Sequence, residues 1–267
     1  MPNYNKLSLV ASLILLCLAL SLIVEWPREA VSFVVPGSPM TIHLSPSWLT
    51  AALLVGMACS GTASIVRLHP LAHREKRAFV CCILPALTTL TAAILLPQAP
   101  DRLYTVGGLA ILCILLPLAI TGEYRTIDPS ASGYRVIRLG LNFIVYLIAL
   151  VLFVLIHESR ARPLLSSGAA LVGSSLLALD LLYDAQQGLR QTSLYALIVG
   201  LVMGEILWVL SYLEMHSLTA GVLLLLVFYV IAGLARQGLQ ESLNRRIVIE
   251  FAAVALIGLA LIISYSP

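Results

Sequence analysis

Apolar residues in this chain come in long blocks rather than in the short alternations of a half-buried strand. Nine blocks can be marked, at about 7–26, 47–67, 78–97, 103–121, 137–157, 164–183, 192–213, 217–235 and 246–264. A hydrocarbon core about 30 Å thick takes roughly 20 residues of helix to cross. Block length and spanning length agree, so each block predicts a membrane helix. The first follows Lys6 as a signal peptide would. It outruns a typical signal-peptide core, and no small-residue cleavage pattern follows, so it reads as a retained anchor. Among the connections, residues 27–46 stand out: "VSFVVPGSPMTIHL" flanks a Pro-Gly-Ser-Pro turn with alternating apolar residues. That pattern predicts a hairpin or an extended flap. The other loops are too short for a soluble domain, and one transmembrane domain over 1–267 is expected. Nine spans do not divide into halves and no internal repeat is visible, so an inverted-repeat transporter is not indicated.

Composition supports the membrane reading. Hydrophobic residues make up 60% of the 267 positions and charged residues only 11%, with a mean hydropathy of +0.99. Soluble domains carry about 25% charged residues. The bilayer is therefore the first partner expected. Nucleic acid is excluded as one, because the net charge of +3 is not gathered on a soluble basic face. Lysine and arginine then set orientation. With the N-terminus inside, 12 of the 16 fall in cytoplasmic segments, among them Arg67, Arg74, Arg125, Arg135, Arg190 and Arg236. The outer segments hold Arg28, Arg102, Arg160 and Arg162. The bias predicts N-in and C-out, in a bacterial-type cytoplasmic membrane.

Small residues mark where membrane helices approach closely. Gly56, Ser60 and Gly61 do so in the second block, Gly168, Gly173 and Ser174 in the sixth, and Gly200 and Gly204 in the seventh. Together they predict a tight all-α bundle.

Carboxylates at membrane depth are costly and call for a reason. Asp180, Glu205 and Glu250 are the candidate buried ones, with Asp184 at the edge. Asp180 and Asp184 stand at i, i+4, as do Arg246 and Glu250, and Arg135, Arg138, Asn142 and Tyr146 form a polar stripe entering from the same side. These groups predict an ion-pair network at the inner end that staples the bundle. Glu205 differs, because no Lys or Arg shares its level, roughly 20 Å along its helix at 1.5 Å per residue. The expectation is a protonated carboxyl bonded to a neighbouring helix, with Trp208 and Tyr212 following on its stripe toward the outer interface. A hydrated cavity for a proton, cation or headgroup is the functional alternative.

Catalytic and cofactor chemistry finds little footing. The five cysteines sit inside apolar runs without ligand spacing, which suits small core residues. Both lysines lie outside the spans, excluding a retinal Schiff base, and all five histidines lie in loops or at span ends, excluding a haem held within the bundle. No phosphate loop, HExxH or nucleophile elbow occurs. No metal, no cofactor and no enzymatic activity are expected.

Three stretches carry a resemblance: "ILPALTTLTAAILL" at 83–96, "GEYRTIDPSASGYRVIRLGLNFIVYL" at 122–147, and "GEILWVLSYL" at 204–213 with the apolar run after it. Together the chain resembles an uncharacterised family of bacterial multi-pass membrane proteins, carried as a domain of unknown function. The resemblance implies a polytopic bundle and brings no activity, cofactor or partner. The expected function is a structural, assembly or accessory subunit of a membrane complex, with partner membrane proteins or further copies of itself. The alternatives are a small-solute or proton-coupled transporter using the embedded carboxylates, and a lipid-headgroup-binding protein.

Overall fold

The computed structural model describes residues 4–23, 31–34, 41–44, 46–67, 77–128, 133–159, 162–183, 188–213, 215–240 and 245–265. Each apolar block falls on helix: α1 (Tyr4–Ile23), α2 (Pro46–Val66), the short α3 (Arg77–Val80) with α4 (Ile83–Leu95), α5 (Arg102–Arg125), α6 (Tyr134–Glu158), α7 (Pro163–Leu182), α8 (Leu189–Leu210), α9 (Ser217–Leu239) and α10 (Arg245–Tyr265). Seven are long and apolar enough to cross a membrane, while α4 and the described stretch of α10 are shorter apolar helices. The third block departs most from the simple expectation, because it breaks at Cys81–Cys82 and ends in a 3-10 turn, Leu96–Gln98. Its 13-residue α4 reaches only about 20 Å, less than a bilayer core. Between α1 and α2 the anticipated hairpin forms: β1 (Val31–Val34) pairs antiparallel with β2 (Thr41–Leu44), Val31 opposite Leu44.

The chain divides into two compact units, Met1–Asp128 and Pro129–Pro267. In the first, Leu7, Ala11, Ile14 and Leu18 repeat every three to four residues along α1 and pack with Leu54 and Ala58 of α2 and Leu112, Leu116 and Ile120 of α5. Helix α4 is buried along Ile83–Thr89, and its hydroxyls turn back on their own helix, Thr88 donating to the Leu84 carbonyl at 2.6 Å. That local bond satisfies a buried hydroxyl without a partner helix. Pro117 interrupts the ladder of α5, and Thr121 donates to its carbonyl oxygen at 2.5 Å.

The second unit is built around two helix pairs. Helix α6 meets α9 through aromatic contact: Phe153 and Phe228, both fully buried, stand 5.9 Å apart at 67°. Tyr146 crosses Phe228 at 6.2 Å, and Tyr229 carries the cluster on to Phe251 of α10 at 5.8 Å. Such edge-on and tilted pairs are favoured by the ring quadrupole. Helices α7 and α8 meet instead through small residues, which is what positions the candidate site.

Candidate functional site on α8 and at its two ends

Helix α8 has two faces with opposite chemistry. Ala196, Val199, Gly200, Met203, Gly204 and Leu207 are buried. At Gly200 an added Cβ would lie 2.5 Å from the Leu171 carbonyl oxygen of α7 and would overlap the Ser175 hydroxyl. At Gly204 it would lie 3.1 Å from the Ser167 carbonyl oxygen. Here hydrogen in place of a methyl lets two helices touch backbone to backbone. Gly61 and Gly173 are similarly tight, against Val10 and Leu152, whereas Gly56 and Gly168 face open space and Ser60 is exposed.

With that face committed to α7, helical geometry turns the opposite one outward. Leu194, Leu201, Trp208 and Tyr212 are exposed large side chains on it, and Glu205 is exposed among them. This corrects the expectation of a carboxyl packed against a neighbouring helix. Glu205 stands on the face that the two glycines leave outside, about 100° per residue fixing the relation once α7 is docked. Trp208 donates its indole N–H to the Tyr212 hydroxyl at 3.3 Å, so the rim above Glu205 is a bonded pair. The level is about 7 Å below the end of α8 at 1.5 Å per residue. Aromatic rings collect at that depth.

Tyr212 is also part of a cleft at this end of the second unit. About 860 Å³ in volume, it is lined by His157 of α6, Ser166 of α7, Leu207 of α8, and Ser211, Tyr212 and His216 beyond it, among others. His157 Nε2 lies 3.4 Å from the Met215 carbonyl oxygen. His216 caps α9, its Nδ1 accepting the Leu218 amide at 3.4 Å, so the neutral ring carries its proton on Nε2. Sequence reading left both histidines as span-end residues, because the pairing of helix ends that gathers them is tertiary. The cleft can receive a hydrogen-bond-accepting group through imidazole and hydroxyl donors. Among the described residues there is no cluster of three or more metal-ligating side chains.

The opposite end holds the inner group. Asp180 is 2% exposed at the end of α7. Arg138 of α6 reaches that end, one guanidinium nitrogen donating to the carbonyl oxygens of Asp180 at 2.7 Å and Tyr183 at 3.1 Å. A helix terminus leaves its last carbonyls unpaired and partly negative, so a guanidinium there satisfies hydrogen bonding and dipole together. Arg138 of α6 thus reaches the main chain at the end of α7. Arg135 is exposed and so is Glu250, which corrects its place among buried carboxylates: α10 turns this side chain away from its contact with α9. Asp184 and the Arg246 side chain lie outside the described residues. Beside Arg138 opens a small cleft of about 90 Å³, lined by Tyr134, Leu181, Leu182, Tyr183, Arg236 and Gln240 as well.

One buried carboxylate escaped the sequence reading. Glu123 is 2% exposed near the end of α5, within electrostatic reach of Cys82, as are Cys59 and Arg67. The apolar block stops at residue 121, so Glu123 reads as a loop residue, yet α5 continues to Arg125.

A family model described as a protein of unknown function, DUF5656, matches residues 26–265. The chain belongs to the DUF5656 family. No curated protein and no solved structure matches it. Membership in DUF5656 agrees with the resemblance to an uncharacterised family and assigns no chemistry. The site on α8 therefore has to be read from its own residues.

Proposed function

We propose that this DUF5656 protein is a non-enzymatic accessory subunit of a membrane complex. It sits N-in in a bacterial-type cytoplasmic membrane and docks a partner's membrane helix on the outward stripe of α8. The observation that carries the reading is the exposure of Glu205 on a helix whose opposite face is filled by α7. An acidic side chain turned toward lipid is costly, and such residues normally face protein or a wet cavity. A partner helix bringing a basic or hydrogen-bond-donating side chain to this level removes that cost, with Trp208 and Tyr212 supplying aromatic contact area.

A coupled transporter fits less well. It needs its carboxylates around one path, whereas Asp180 is buried at one end of α7 and Glu205 lies exposed toward the far end of antiparallel α8. Glu250 is exposed on α10.

Photo-crosslinking from position 208 in native membranes tests the docking. A single discrete adduct is expected, lost in Glu205→Lys while that variant unfolds within about 0.5 kcal/mol of the wild type, as an exposed side chain should. An adduct that persists in Glu205→Lys, or labelling by lipid alone, refutes it.

A further inference from the structure

The geometry points to a site for neighbouring hydroxyl groups in the cleft at the Tyr212 end of the second unit. Its shared ligand chemistry is a polyol, carried as the sugar or glycerol head of a lipid or present as a free sugar. Bonds already made by four lining side chains fix what each has left to offer. The Met215 carbonyl can only accept, so His157 donates to it through Nε2, and the neutral ring keeps Nδ1 as an acceptor. His216 is the reverse: its Nδ1 accepts the Leu218 amide, so its Nε2–H is a donor. Ser211 gives its proton to the Leu207 carbonyl at 2.9 Å, which leaves its oxygen to accept. The Tyr212 oxygen takes the Trp208 indole N–H, which leaves its own O–H to donate. All four side chains line the cleft.

Two donors and two acceptors at one cleft do not suit a phosphodiester, whose oxygens only accept, or a quaternary ammonium, which does neither. A hydroxyl does both at one atom, and neighbouring hydroxyls interleave the two roles as Ser211 and Tyr212 do in adjacent residues. The match rests on the direction of hydrogen bonds and not on the net charge around the cleft. At about 860 Å³ the space falls within the range of small-molecule sites, roughly 300–1,000 Å³. Leu207 and Met215 line it as well and offer apolar contact to the C–H faces of a sugar ring. Trp208 and Tyr212 set the level, because such rings gather at the headgroup layer. A lipid head therefore reaches the cleft without leaving the interface.

The test uses the full-length protein purified in lauryldimethylamine oxide, a detergent without hydroxyls. Native mass spectrometry compares glucosyl diacylglycerol, its O-methylated form and phosphatidylcholine. The wild type should retain the glucosyl lipid over the other two, since methylation leaves acceptors and removes every donor. His216→Asn keeps an acceptor for the Leu218 amide, as a favoured helix N-cap, and removes the Nε2–H donor. His157→Gln keeps a donor for the Met215 carbonyl and removes the Nδ1 acceptor. Each should lower the preference about fivefold, one neutral hydrogen bond in an affinity, with unfolding unchanged. Competition by millimolar methyl glucoside, lost in His216→Asn, assigns the site to a free sugar, and resistance to it assigns the site to lipid. Equal retention of the three lipids without methyl glucoside binding overturns the proposal. So does a wild-type preference in both variants, since the hydroxyls would then be read elsewhere. Either failure leaves the docking of a partner helix on α8 standing, because crosslinking from position 208 reads that separately.

Discussion

Replacing Gly200 by alanine asks whether α7 and α8 touch as closely as the sequence motif promised. The new Cβ would stand 2.5 Å from the Leu171 carbonyl oxygen, where ordinary contact begins at 3.4 Å. Ser175 can rotate its hydroxyl away, but Leu171 O is main chain inside a helix and cannot. The helices must separate by about 0.9 Å at that point, and forced overpacking of this kind costs about 1–3 kcal/mol. Alanine returns at most about 1 kcal/mol through helix propensity. Gly200→Ala should therefore destabilise the protein by up to about 2 kcal/mol. Gly204 provides the internal control. There the nearest atoms are the Ser167 carbonyl oxygen at 3.1 Å and Leu171 Cβ at 3.2 Å, so a shift of a few tenths of an ångström suffices. Strain and propensity then nearly cancel, and Gly204→Ala should stay within about 0.5 kcal/mol of the wild type. Reversible unfolding in mixed micelles, titrated with a denaturing detergent, measures both. Equal stability of the two variants, or a larger loss in Gly204→Ala, would refute the close approach at Gly200.

Arg138→Gln should destabilise the second unit by about 2 kcal/mol in the same assay, since charge-assisted hydrogen bonds to the α7 end contribute about 1.5–3 kcal/mol. Arg138→Lys should fall between, keeping the charge and losing the fork; a Gln variant as stable as the wild type would remove the capping role. For topology, a cysteine introduced at Arg190 should resist a membrane-impermeant thiol reagent added outside intact cells, and one at Arg162 should react. Both side chains are exposed and they lie at opposite ends of the second unit, so the reverse pattern would invert the N-in assignment.

How much of this was legible beforehand differs by residue. Gly200 and Gly204 could be marked from spacing, because close approach leaves a small-residue signature on one stripe. Glu205 could be located, but not oriented: its 100° offset from the glycine face was readable, while which face α7 would occupy was a packing outcome. Arg138 was placed at the right end of the bundle, yet its acceptors were missed, since main-chain carbonyls at a helix end have no side-chain signature. Glu123 was missed because hydropathy ends a span where apolar residues end, and hydrogen bonding carries the helix a turn further.

The amino-acid sequence by itself determined that this chain is a multi-helix membrane protein with a hairpin or extended flap between its first two long helices. Twenty-residue apolar blocks have few other solutions in water or lipid, and alternation around Pro-Gly turns is local. Tertiary structure alone decided that the chain forms two compact units. It also decided that Asp180 is buried while Glu205 and Glu250 turn outward, and that His157 and His216 share one cleft and Arg138 and Arg236 another. These depend on which helix ends meet, and between apolar helices in lipid that choice rests on shape and a few polar contacts rather than on hydropathy.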